Sequence, residues 1–141
     1  MISFVCGQLC SGKTLYSKAL AHICGGIYVE IGDIVRTIKA TVDRKALQNS
    51  KELFNNILQH LKNQIKDNPD TDFVISGVRQ KEILEHFDDV TFLWVECPVN
   101  ERKRRYENRA REGDSQTFEE AEQGDIELGI LEVKNYIFNQ L

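Results

Sequence analysis

A three-layer α/β domain, five parallel strands with helices packed on both faces, is the fold this 141-residue sequence predicts. Three observations predict it. Short apolar runs recur along the chain, too continuous to alternate in polarity and so suited to strands buried on both faces. Amphipathic, helix-forming stretches separate them, which is the pattern of a parallel sheet. The first run leads directly into a glycine-rich turn, "GQLCSGKT", and then into a helix. The length fits one domain spanning residues 1–141.

The elements follow in order. Ile2 to Cys6 reads as the first buried strand, and Lys13 to about Ile23 as a helix stopped by Gly25 and Gly26. "IYVEI" (Ile27 to Ile31) is the second strand, broken at Gly32 before a short helix through Ile34, Val35 and Ile38. Asp43 to Lys66 is the longest helix candidate, because Leu47, Phe54, Leu58, Leu61 and Ile65 fall on one helical stripe. Asp67 to Asp72, with Pro69, is turn chemistry. "FVIS" (Phe73 to Ser76) and "VTFLWVEC" (Val90 to Cys97) are strands three and four, with a helix from about Gln80 to Phe87 between them. A basic helix follows Pro98, a polar loop covers Glu112 to Thr117, and Phe118 to about Ile130 is helical again. "NYIF" (Asn135 to Phe138) supplies a fifth strand, with no helix after it.

Composition narrows the function. With 41% hydrophobic and 28% charged residues the chain is ordinary for a globular protein. A net charge of -4 gives no bulk attraction for nucleic acid or anionic lipid, so neither is an expected partner. The run Ile2 to Cys6 is too short for a signal peptide or a membrane span, and the cytoplasm is the expected location. Cys6, Cys10, Cys24 and Cys97 form no CxxC pair, which points to reduced thiols without a zinc or redox motif.

The turn carries the chemistry. Gly7 to Thr14 satisfies GxxxxGK[ST], in which a curled backbone aims several N–H groups at one anion. The following helix adds its positive end. Gly7, Leu9, Cys10, Ser11, Gly12, Lys13, Thr14 and Leu15 are therefore the expected nucleotide contacts, with Lys13 reaching the phosphates and the Thr14 hydroxyl binding Mg²⁺. No guanine-reading NKxD-type segment accompanies the turn, which argues against a switch GTPase.

Arginines flank this cradle in sequence. "GDIVR" sets Asp33 and Arg36 one turn apart after the second strand, and "SGVR" sets Arg79 after the third. Both lie at strand carboxyl ends, where two guanidinium forks suit a second phosphate. The chain resembles the P-loop nucleoside monophosphate kinases, in particular the small deoxynucleoside monophosphate kinase and dephospho-coenzyme A kinase-like branch. "GDIVR" is similar to the GDxxR segment of adenylate kinases and "SGVR" to their DGxxR segment, with Ser76 standing where the family has a strand-end acid. "DRKALQ" is similar to the R-x-x-L-Q stretch of deoxynucleotide kinases, which implicates Arg44 and Gln48 with Asp33, Arg36 and Arg79 in acceptor binding. The resemblance also implies that "ERKRRYENRAREGD" and the helix after it form a lid, about residues 102–124. There Arg102, Arg105 and Arg111 would contact the donor, while Arg105 and Arg109 join Lys13 and Asp33 in catalysis.

The resemblance implies an ATP- and Mg²⁺-dependent kinase of (deoxy)nucleoside monophosphates, working as a monomer or homodimer. Two other readings keep the same fold. One is a P-loop kinase with a hydroxyl acceptor, such as dephospho-coenzyme A or a modified base in DNA. The other is a nucleotide-binding protein without catalysis, prompted by Ser76.

Overall fold

The computed structural model describes residues 1–41, 50–109 and 116–140. In chain order the elements are β1 (Ile2–Gly7), α1 (Lys13–Cys24), β2 (Ile27–Glu30), α2 (Ile31–Thr41), α3 (Ser50–Asp67), β3 (Phe73–Ser76), α4 (Lys81–Leu84), β4 (Thr91–Val95), α5 (Val99–Arg109), α6 (Phe118–Leu128) and α7 (Ile130–Asn139). The strands form one parallel sheet in the order β2-β3-β1-β4.

Side-chain alternation gives the sheet two packed faces. Phe4, Cys6, Phe73 and Ile75 point to one side and meet Ile34, Ile38, Ile57, Leu61, Ile83, Leu84 and Val133 in the larger core. Val5 and Val74 point to the other side, where Ala21 of α1 covers them with Leu20, Tyr28 and Leu93 around the edge. Burial pushes the Cys6 thiol up to about 12, so it behaves as a small apolar side chain.

The α/β fold with a parallel sheet between helices is as the sequence predicts, with one strand fewer among the described residues. Asn135–Phe138 lies inside α7, not in a fifth strand. Tyr, Ile and Phe favour strands locally, but Ile130, Val133 and Ile137 recur at steps of three and four and are all buried. Burying that stripe against the larger core outweighs the local preference of four residues, and the chain carries a C-terminal helix as a result. Gly32 likewise sits inside the first turn of α2 and does not break it. At α6, Thr117 makes a capping box, its side chain accepting from the Glu120 N–H at 3.2 Å. Among the described residues, no helix is long and apolar enough to cross a membrane.

Candidate active site

β1 ends at Gly7 in the middle of the sheet, and residues 8–12 curl back to start α1. Cys10 and Gly12 both take left-handed backbone angles, φ 60° and 96°, which turn the intervening peptides inward. Alternation of this kind makes a concave nest of N–H groups that suits an anion. Gly12 is the residue type its angle demands, whereas Cys10 holds the left-handed region with a full side chain. Ser11 is buried and its Oγ has no hydrogen-bond partner. The Lys13 ammonium folds over the loop and donates to the Gln8 carbonyl at 3.5 Å.

Charged groups converge around Lys13. Burial holds its ammonium below the ordinary lysine range, the positive Arg79 adds to that, and Asp125 and Glu30 oppose it. Arg79, just beyond β3, pairs with Asp125 of α6 at 3.3 Å. Glu30, the last residue of β2, accepts a hydrogen bond from the Tyr28 hydroxyl at 2.5 Å. The Thr14 side chain lies near the Tyr28 hydroxyl; burial foremost, then Glu30, raises that hydroxyl above the usual range.

α5 lies over the loop and presents three arginines to it with different fates. Arg105, half exposed, donates to the Cys10 carbonyl at 3.3 Å and is steadied by Glu101 at 3.2 Å. Arg109 reaches the Cys10 Sγ at 3.7 Å, its guanidinium stacked 4.4 Å from the Tyr106 ring centre. Arg102 is only 4% exposed. It donates to the Leu9 carbonyl at 3.2 Å and the Cys97 carbonyl at 3.1 Å, and pairs with Glu122 of α6 at 2.5 Å. Its N–H groups thus face protein, holding the loop, α5 and α6 together.

Comparison with known proteins decides the family. A family profile described as an AAA domain matches residues 4–127. The chain belongs to this AAA-domain family. No curated protein matches the AAA-domain chain by sequence. Solved structures share its fold at low identity. Shikimate kinase from Acinetobacter baumannii in complex with shikimate aligns with a TM-score of 0.59 and 17% identity, over 99% of this chain and 78% of that one. A sugar kinase from Janibacter sp. gives 0.59 and 17%, over 88% and 76%. A chain of the Pnkp1/Rnl/Hen1 RNA repair complex gives 0.65 and 14%, over 96% of this chain but 45% of that longer one. The AAA-domain protein therefore has the P-loop kinase-like fold.

Not every expected site residue reaches the loop of the AAA-domain protein. Asp33 and Arg36 pair with each other across one turn at the exposed start of α2. Leu15 points outward, 77% exposed. Arg44, Gln48 and Arg111 lie outside the described residues. Conversely, Glu30, Tyr28, Glu122 and Asp125 stand close to the loop without belonging to any motif in the sequence. An acid closing an otherwise apolar strand, and two acids one turn apart beside the buried Phe118, are the signals they left.

Cys10 offers a direct test of where the nucleotide sits in the AAA-domain protein. Its Sγ faces Arg109 at the rim of the loop. Saturating Mg-ATP is expected to slow its alkylation at least about tenfold, read by mass spectrometry of the labelled peptide. Equal labelling with and without nucleotide would put the binding site elsewhere.

Proposed function

We propose that the chain is an ATP- and Mg²⁺-dependent phosphotransferase acting on a small-molecule acceptor, and that the acceptor is a (deoxy)nucleoside monophosphate. The nest at residues 8–12, with Arg105 and Arg109 laid over it and Lys13 across it, is the observation that carries this reading. Phosphoryl transfer asks the protein chiefly to position two substrates and to neutralise charge spreading over the transferred group. Lys13 and the loop N–H groups would hold the donor phosphates. Arg105 and Arg109 would exchange their present contacts with Cys10 for phosphate oxygens, with α5 and α6 acting as a lid that keeps water out.

The acceptor side falls at Arg79. Its guanidinium stands near Lys13, and a shallow cleft of about 200 Å³ opens just beyond it, lined by Lys51, Phe54, Gln80 and Glu82. Arg79 would hold the acceptor phosphate, joined by Arg36 once it leaves Asp33. The donor set also fits Mg²⁺, since Thr14 lies in the first helical turn and the fully buried Ser76 hydroxyl lacks a partner. Thr14, with Ser76 behind it, would hold the ion, and Mg²⁺ would supply charge neutralisation when bound.

One observation favours a second reading. Asp33, exposed at the start of α2, would supply the base that a hydroxyl acceptor needs once it leaves Arg36. The structural neighbours named as a sugar kinase and a shikimate kinase fit that alternative.

A coupled assay decides between them, screening ATP with each common nucleoside monophosphate, dephospho-coenzyme A, simple sugars and shikimate. ADP formation that depends on a nucleoside monophosphate is the expected result; turnover with hydroxyl compounds alone would transfer the assignment to the second reading. In the productive reaction Arg79→Ala should raise the acceptor KM about tenfold or more, because it removes a charged bond present before transfer. Arg105→Ala should lower kcat and leave that KM nearly unchanged. An unaltered KM in Arg79→Ala would displace the acceptor site.

A further inference from the structure

We infer that the carboxylate serving Mg²⁺ in this site is Glu30, contributed by β2, and that the Ser76 hydroxyl on the adjoining strand completes the ion's surroundings by holding one of its waters. This assignment of Glu30 rests on the proposed phosphotransferase activity, in which the residue otherwise has no role.

The placement follows from the sheet. β2 and β3 run parallel with Glu30 directly beside Ser76. Val74 and Tyr28 belong to the smaller core under α1, so Ser76 and Glu30, two residues further along each strand, turn to that same side. That side carries α1, with Thr14 in its first turn. Tyr28 lies between Glu30 and Thr14, donating to Glu30 Oε2 at 2.5 Å with the Thr14 side chain near its hydroxyl. The second oxygen, Oε1, lies flat against Gly77, whose φ of 93° and missing side chain leave it room; a Cβ there would overlap Oε1. Only Tyr28 thus separates Glu30 from the loop threonine.

The Ser76 hydroxyl supplies an independent pointer. It is fully buried and has no partner, a condition that is costly unless something else satisfies it. A water carried by the ion on this face would do so. Mg²⁺ is commonly held by one or two carboxylates together with phosphate oxygens and its own waters, so a single acid suffices. The other described acids near the site are already paired, Glu122 with Arg102 among them. Asp125 is engaged by Arg79, and Asp33 is exposed and paired with Arg36.

Mn²⁺ replaces Mg²⁺ as the probe, and free Mn²⁺ is read by its paramagnetic resonance signal in titrations with and without ADP. Wild-type protein should tighten Mn²⁺ binding to ADP, and Glu30→Gln should weaken that ternary binding at least about tenfold. ADP binding without metal, followed by calorimetry, should be unchanged or tighter in Glu30→Gln, since a negative charge near Lys13 is gone. Tyr28→Phe keeps the carboxylate and removes only the hydroxyl beside it, so its Mn²⁺ binding should stay within about threefold of wild type. Wild-type Mn²⁺ binding in Glu30→Gln overturns the inference. So does an equal loss in Tyr28→Phe, which would mean that Glu30 acts only by orienting Thr14, or a loss of metal-free ADP binding in Glu30→Gln. A wild-type protein that binds no ADP at all would instead remove the phosphotransferase reading itself.

Discussion

Lys13→Met should cut phosphoryl transfer by at least about 10³ and at the same time raise the melting temperature of the nucleotide-free protein. The first effect comes from losing the positive charge laid across the loop. The second comes from the effect of burial on that charge. Lys13 binds its proton less tightly in the folded protein than the ordinary lysine value of 10.5 implies. The folded state then sheds the proton at a lower pH than the unfolded chain does. Stability therefore rises with pH between the folded value and 10.5, and below that window the whole penalty is present. Methionine has similar length and no charge, so it removes the penalty at neutral pH. Activity assays and thermal denaturation without nucleotide test both halves. Near wild-type turnover would sink the role of Lys13 in transfer. A marked fall in melting temperature would show that its bond to the Gln8 carbonyl outweighs the cost of burial.

Arg102→Ala should be the most destabilising of the α5 substitutions, by about 3 to 5 kcal/mol, and should lower the melting temperature by roughly 10 °C or more. Its guanidinium bonds the Leu9 and Cys97 carbonyls, and its removal strands Glu122, whose side chain is 19% exposed. Arg102→Met combined with Glu122→Leu should recover most of the loss, because the stranded charge then goes as well. Arg105→Ala, at an exposed position, should change stability by less than about 1 kcal/mol. If Arg102→Ala melted with Arg105→Ala, the buried pair would contribute nothing to the fold. Both Lys13 and Arg102 are single cations near one loop, and burial gives their removal opposite signs.

The features legible in the sequence are local ones. The loop is legible because its backbone demands glycine, lysine and threonine at fixed spacing within eight residues. The four true strands are legible because each is a continuous apolar run. The supposed fifth strand misleads, since Tyr136, Ile137 and Phe138 favour a strand by residue type while Ile130, Val133 and Ile137 are buried as a helical stripe. Asp33 and Arg36 are visible as a strand-end motif, but helical spacing that brings both to one site also lets them satisfy each other. Asp125 and Glu122 are illegible for a different reason. Their partners, Arg79 and Arg102, are distant in sequence, and only tertiary packing makes an acid on a mostly polar helix into a site residue.

α6 works as a ruler. Two of its acids sit three residues apart, and each reaches a different arginine, Glu122 to Arg102 under the loop and Asp125 to Arg79 past β3. Both bonds are met at once because three residues return a helix to nearly the same bearing, at a rise of about 4.5 Å. Inserting one residue between them would swing Asp125 by about 100° and break one grip whichever one the helix kept. The helix therefore tolerates substitution on its outer side far better than any change in length, and Gly129, closing it with a left-handed cap beside the Arg79 carbonyl, fixes where that measure ends.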